Sequence, residues 1–255
     1  MNYFEGKEER AIKADNHTEE MWKKHTDEIY DCVAKTKRYS NNISTMPRTA
    51  KKQQIVLTDE DSVSAVFNHQ KGRVCVLNFA SYKNPGGMFL KGSKAQEECL
   101  CHESFLYNVL NEFIDGYYSP HLKTLNKALY TNEALYSPGV KFIRNKKECL
   151  ADVLTCAAPN YKAAYKYQNV SREQNSKVLK DRTKFVLDIA SNEGIDTLIL
   201  GAWGCGVFGQ EPSEVAECFL EELKNHQDIE NIVFAVIDKN SENYKAFENC
   251  IKGYI

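Results

Sequence analysis

The chain has 255 residues, 42% of them hydrophobic, enough for one large domain or an ordinary domain with an extension, and for a substantial buried core. Its formal net charge of −2 supplies no basic footprint for a polyanion, and no apolar stretch approaches the roughly 20 residues that cross a bilayer. The nine cysteines are odd in number, scattered and without a CxxC pair, which fits reduced thiols in a soluble cytoplasmic protein. Cys99-Leu100-Cys101-His102 lacks the second half that a zinc site needs, so no metal is expected.

Residues 1–45 are polar and rich in Lys and Glu, and the first ten contain no signal-peptide core. Met21, Trp22, His25, Ile29, Tyr30 and Val33 recur there at helical spacing, which predicts a helical extension packed on a domain of residues 46–255. Asn41-Asn42-Ile43-Ser44-Thr45-Met46-Pro47 should end that helix. Continuous apolar runs then predict buried strands at Ile55 to Leu57, Val74 to Phe79, Val140 to Ile143, Val153 to Cys156, Thr197 to Leu200 and Ile232 to Ile237. Helices are predicted between them, over Ser62 to His69, Lys94 to Phe113, Lys177 to Asn192, Pro212 to Leu223 and Ser241 to Ile251. Gly194 suits a C-terminal cap, and Pro212 suits a first turn. Strands interleaved with helices imply the α/β class, as a three-layer α/β/α sandwich on a largely parallel or mixed sheet.

Two glycine loops follow apolar strands. The first, Asn84-Pro85-Gly86-Gly87-Met88, precedes Gln96-Glu97-Glu98. Ser93 with Gln96 fits a capping box, which would set Glu97 and Glu98 in a first helical turn beside that loop. Adjacent helix positions point about 100° apart, so one carboxylate can reach a reacting bond while the other grips a neighbouring hydroxyl. The helix N-terminus favours the ionised form, whereas burial and a nearby diphosphate favour the protonated one. That balance suits protonation of a leaving group followed by activation of water. The plain alternative is that these acids only complement the helix dipole.

The second loop, Gly201 to Gly209, holds a G-x-G-x-x-G from Gly204 onward. A dinucleotide fold with Asp238 as its ribose acid fits poorly, because Trp203 and Cys205 crowd the turn and Pro212 delays the helix. Backbone amides around a diphosphate fit better. Tyr161 to Tyr167 mixes aromatics with lysines but reads as an amphipathic surface segment, so direct DNA or RNA binding is not expected. Arg144 to Lys147 reads as a short solvated basic turn.

Asn78-Phe79-Ala80, the Pro85-Gly86-Gly87 turn, Gln96-Glu97-Glu98 and Gly201 to Gly209 together resemble the bacterial-type poly(ADP-ribose) glycohydrolases of the macrodomain superfamily. The likeness runs from about Gln54 to the C-terminus. It implies a macrodomain-like sandwich that cleaves ribose–ribose O-glycosidic bonds to release ADP-ribose, with no cofactor. The implied ligand is ADP-ribose or poly(ADP-ribose), free or attached to protein, and no membrane is involved. By motif, Glu98 would be the catalytic acid/base and Glu97 would hold hydroxyls of the adjoining ribose. Gly86 and Gly87 would line the distal ribose and diphosphate, with Met88 and Gln96 also among the ligand-binding residues. Gly204, Cys205, Gly206, Val207, Phe208 and Gly209 would form the diphosphate loop, with Phe208 packing near the distal ribose. Ser81 or Asn84 would contact that ribose. One position departs from the family pattern: its third glycine is Met88 here. The same cleft also admits a mono-ADP-ribosyl hydrolase or a non-catalytic ADP-ribose reader.

Overall fold

The computed structural model describes residues 6–41, 43 and 49–254. The expected break over residues 41–47 lies mostly outside them. Strands β1 (Lys37–Ser40), β2 (Gln54–Thr58), β3 (Val74–Phe79), β4 (Glu133–Arg144), β5 (Lys147–Cys156), β6 (Thr197–Leu200) and β7 (Asn231–Ala235) form one sheet in the order β1-β4-β5-β3-β6-β7-β2. From β5 to β2 all neighbours are parallel, while β4 is antiparallel to both β5 and β1. The sheet is therefore mixed, as expected of a macrodomain-like chain.

The helices are α1 (Lys7–Lys35), α2 (Ser62–Asn68), α3 (Gln96–His102), α4 (Leu106–Asn111), the single turn α5 (Ser119–His121), α6 (Tyr161–Gln168), α7 (Arg172–Asn192), α8 (Pro212–Leu223) and α9 (Glu242–Tyr254). Alternate residues of the central strands face opposite layers, as the pleat requires. Cys75, Leu77, Leu198, Leu200, Ile232 and Phe234 pack beneath α7, α8 and α9. Val74, Val76, Ile199 and Val233 pack against α1, α2, α3 and α4. The result is the three-layer α/β/α sandwich.

Three local expectations change. The N-terminal helix forms and buries Ala14, Met21, Ile29 and Cys32, but Tyr30 is 58% exposed. The polar Lys-Arg-Tyr-Ser segment after it becomes an edge strand, because its backbone pairs with residues 133–136 of β4. The single helix expected over Lys94 to Phe113 is two helices, α3 and α4. The chain breaks there because the Glu103 carbonyl accepts from the Ile143 N–H (2.8 Å) and the Ser104 hydroxyl accepts from the Leu106 N–H (3.1 Å). Finally, Arg144 is not solvated. It sits at the β4–β5 hairpin and pairs with Glu103 (2.6 Å from Nη2) and Asp61 (3.0 Å), fastening the hairpin to α2 and the end of α3.

Candidate active site

Loops leaving the carboxyl ends of β3, β5 and β6, adjacent parallel strands, converge on one cleft, where ligands bind in open α/β sheets. After β3, Gly86 and Gly87 take consecutive left-handed conformations (φ +62° and +63°), and residues 89–91 form a 3₁₀ turn. Phe89 is buried there against His102 and Tyr107, so the loop is anchored at its centre. Helix α3 starts at Gln96, and its N-cap is Ala95 rather than Ser93. Ala95 has no side-chain acceptor, so the cap is one-sided: Glu98 Oε2 accepts from the Ala95 N–H at 2.8 Å. Glu98 Oε1 accepts from the Met88 N–H, also at 2.8 Å, so this carboxylate joins helix start to glycine loop.

Glu97, one residue earlier, turns toward the strand. Its Oε2 accepts from the Ser81 N–H (2.7 Å) and its Oε1 from Asn78 Nδ2 (3.1 Å). Both glutamates are buried, at 3% and 5% exposure. Burial pushes the Glu97 carboxyl up to about 8, and the neighbouring Glu98 adds to that, against the opposing pull of the hydrogen bonds from Ser81 and Asn78. Gln96 also anchors the helix. Its amide oxygen accepts from the Phe79 N–H (2.9 Å) and its Nε2 donates to the Leu77 carbonyl (2.9 Å) and Ser62 (3.0 Å), which locks α3 to the end of β3.

The second loop follows β6. Trp203 does not crowd it but roots it: the indole is fully buried and donates to the Cys156 carbonyl at 3.1 Å. Gln210 donates to the Pro159 carbonyl (2.7 Å), and the Phe208 carbonyl accepts from the Lys162 N–H (2.9 Å). These bonds tie the loop to the segment after β5. Among the described residues none accepts a hydrogen bond from the N–H groups of Gly206, Val207 or Phe208, which leaves amides for an anion.

Two cavities meet here. The first, of about 490 Å³, is lined by Glu97, Glu98 and both glycine loops. The second, of about 290 Å³, shares Phe79, Ala95, Gln96 and Ala202 with it and extends toward Asp61, Val236 and Asn243. Ser81, Gly87, Met88, Gln96, Glu97, Glu98, Gly204, Gly206, Val207 and Phe208 all line the first cavity. Four sequence candidates do not. Asn84 spends its carbonyl on the Gly87 N–H (3.1 Å), Gly86 backs onto Tyr107 and Cys101, and Gly209 lines a separate groove beside α6. Cys205 is partly buried under the loop, and burial pushes its thiol up to about 12. Sequence reasoning missed Ser93, Ala95, Ala158 and Ala202 as cleft walls. Small uncharged residues carry no chemical signal; only position after the strands reveals them. Among the described residues, no three His, Cys, Asp or Glu side chains gather as a metal site.

The family model of the microbial-type PARG catalytic domain matches residues 8–145, more than half of the chain, including both glutamates and the first glycine loop. The chain belongs to that family. Among solved structures, it is similar to the poly(ADP-ribose) glycohydrolase of Thermomonospora curvata, with 29% identity, a TM-score of 0.82, and 94% of this chain and 98% of that one covered. The same Thermomonospora protein bound to the inhibitor ADP-HPD gives a TM-score of 0.81 at 29% identity over 94% and 98% of the two chains. The poly(ADP-ribose) glycohydrolase of Deinococcus radiodurans in complex with ADP-ribose follows at 29% identity and a TM-score of 0.79, covering 89% and 98%. No curated protein sequence matches the chain.

Proposed function

We propose that this chain hydrolyses the ribose–ribose O-glycosidic bond of poly(ADP-ribose) and releases ADP-ribose, with Glu98 as the acid/base. The observation that carries the reading is the pair of adjoining cavities, the larger of them lined by buried Glu97 and Glu98 and by a loop with unpaired amides. Their shape suits a long, jointed ligand: a base in the smaller chamber, a diphosphate against Gly206 to Phe208, and the distal ribose over the glutamates. The solved relatives in complex with ADP-ribose and with ADP-HPD support the same occupant.

The chemistry follows from the placement. Glu98 passes its proton to the leaving oxygen as the C1–O bond breaks and positive charge develops on the ribose. A diphosphate held by the loop amides, which line the same cavity as Glu98, would stabilise that charge. Water then attacks C1 and returns a proton to Glu98. Glu97, with its carboxyl held near 8, is largely protonated at neutral pH and can both donate to and accept from ribose hydroxyls. Met88 does not favour a disabled reader, because its φ is −114°, a conformation that requires no glycine.

Helix α1 and strand β1 act in this reading as part of the catalytic unit, since α1 packs on the 3₁₀ turn of the first loop. No helix among the described residues is long and apolar enough to cross a membrane. A cytoplasmic location is supported by nine free cysteines, which suit a reducing compartment. Incubation with poly(ADP-ribose) and measurement of released ADP-ribose tests the proposal; polymer left intact would overturn it.

A further inference from the structure

The segment Tyr161-Lys162-Ala163-Ala164-Tyr165-Lys166-Tyr167 has no part in the cleft, yet it forms α6 directly beside it. Only Ala164 of that helix is buried; Tyr165 and Tyr167 are 65% and 68% exposed. A groove runs along this helix, lined by Tyr161, Lys162, Tyr165, Lys166 and, from the catalytic side, Gly209. No carboxylate lines it among the described residues. The Tyr161 and Tyr165 rings stand 5.8 Å apart, and Lys162 and Lys166 follow each of them in the groove lining; Arg172, paired with Glu214 at 2.9 Å, covers Tyr161 from outside the groove at 5.5 Å.

The wall between groove and cleft is thin. Phe208 lines the cleft, the next residue lines the groove, and the Phe208 carbonyl is bonded to Lys162. On the other flank, Ala158 lines the cleft and α6 begins three residues later. A chain leaving the cleft past Phe208 therefore meets α6 first.

We infer that the α6 groove is a second subsite, which holds the adenosine diphosphate portion of the polymer unit on the leaving side of the cleaved bond. This rests on the reading of the cleft as a polymer hydrolase. Each unit of the polymer carries an adenine and a diphosphate, matching a groove with aromatic faces for stacking and ammonium groups for phosphate. Single-stranded RNA offers similar groups, but continuity with the cleft favours the polymer already engaged there.

The test compares wild type with Lys162→Gln/Lys166→Gln and with Tyr165→Ala, on long-chain poly(ADP-ribose) and on the two-unit oligomer. In the double variant, KM for long polymer rises about tenfold and the salt dependence of long-polymer binding becomes shallower, because two phosphate contacts and their counterion release are gone. KM for the two-unit oligomer, which already carries one leaving-side adenosine diphosphate, rises as much, while kcat and the affinity for free ADP-ribose, which has none, stay at wild-type values. No effect on the two-unit oligomer, or an equal loss of affinity for free ADP-ribose, would overturn the subsite. Competition by poly(A) RNA as strong as that of the polymer would also overturn it, in favour of a nucleic-acid surface. Polymer affinity of Glu98→Gln, with and without the lysine changes, separates this from failure of the catalytic reading. If wild type cleaves nothing, the hydrolase fails, while a tighter binding of the two-unit oligomer than of ADP-ribose that is lost with the lysines still supports the groove.

Discussion

Gly87 stands so close to Glu98 that a methyl group on its Cα would lie 2.5 Å from Glu98 Oε1 and 2.9 Å from Glu97 Oε2. The glycine loop and the acid pair thus form one packed unit, and both the left-handed backbone and the missing side chain are required at this position. Gly87→Ala should cost about 1–2 kcal/mol from the left-handed conformation alone. Because the added atom also displaces Glu98, release of ADP-ribose should fall far more than stability. Thermal unfolding alongside turnover checks this, and near-normal turnover in a folded variant would contradict it.

Met88 gives the opposite expectation. Its backbone conformation is ordinary and its side chain is 40% exposed at the cleft wall. What the site uses is its N–H, donated to Glu98, which any residue but proline provides. Met88→Gly should keep turnover within a few-fold of wild type and lose about 0.5–1 kcal/mol of stability through added chain entropy. A large gain in polymer cleavage would show that Met88 restrains the enzyme after all.

Glu97 links the site to pH. Its carboxyl is raised to about 8, so between the ordinary value of 4.5 and about 8 the folded chain holds a proton that the unfolded chain has released. The native state binds more protons across that window, and stability therefore declines as pH rises through it. The decline is bounded by about 1.4 kcal/mol per pH unit. In Glu97→Gln the decline should flatten, as read from urea unfolding midpoints at about pH 5 and about pH 8. Identical pH dependence in variant and wild type would assign the titration elsewhere.

Helix α1 reaches the catalytic loop through Arg10, whose Nε donates to the Gly92 carbonyl at 2.7 Å in a part-buried contact. Arg10→Ala should cost about 1.5–3 kcal/mol as a charge-assisted hydrogen bond is lost. It should also lower kcat more than it raises the dissociation constant for ADP-ribose, since the loop it braces presents the Met88 N–H to Glu98. A change in stability with kcat untouched would make the helix a support for the fold alone.

Much of this was legible in the sequence. The continuous apolar runs located six of the strands because both sheet faces are covered, and Gly86-Gly87 with Glu97-Glu98 located the centre of the site. Strand β1 was not legible, because Lys-Arg-Tyr-Ser is an edge strand held by backbone pairing and carries no apolar signal. The break between α3 and α4 was hidden for a related reason: the residues that stop the helix do so by bonding β4, distant in sequence. Gln96 lines both cavities, and the bonds its amide makes to β3 and α2 could not be read from the sequence. The α6 segment showed its aromatic and basic character in sequence, but its place beside Phe208 comes only from the fold.

The most direct test compares wild type with Glu98→Gln for release of ADP-ribose from poly(ADP-ribose), with ADP-ribose affinity measured on both. Removing the acid/base should lower kcat by about two to four orders of magnitude while binding stays within a few-fold. A Glu98→Gln protein that binds ADP-ribose and still cleaves polymer at the wild-type rate would contradict the assignment of the chemistry to this carboxylate.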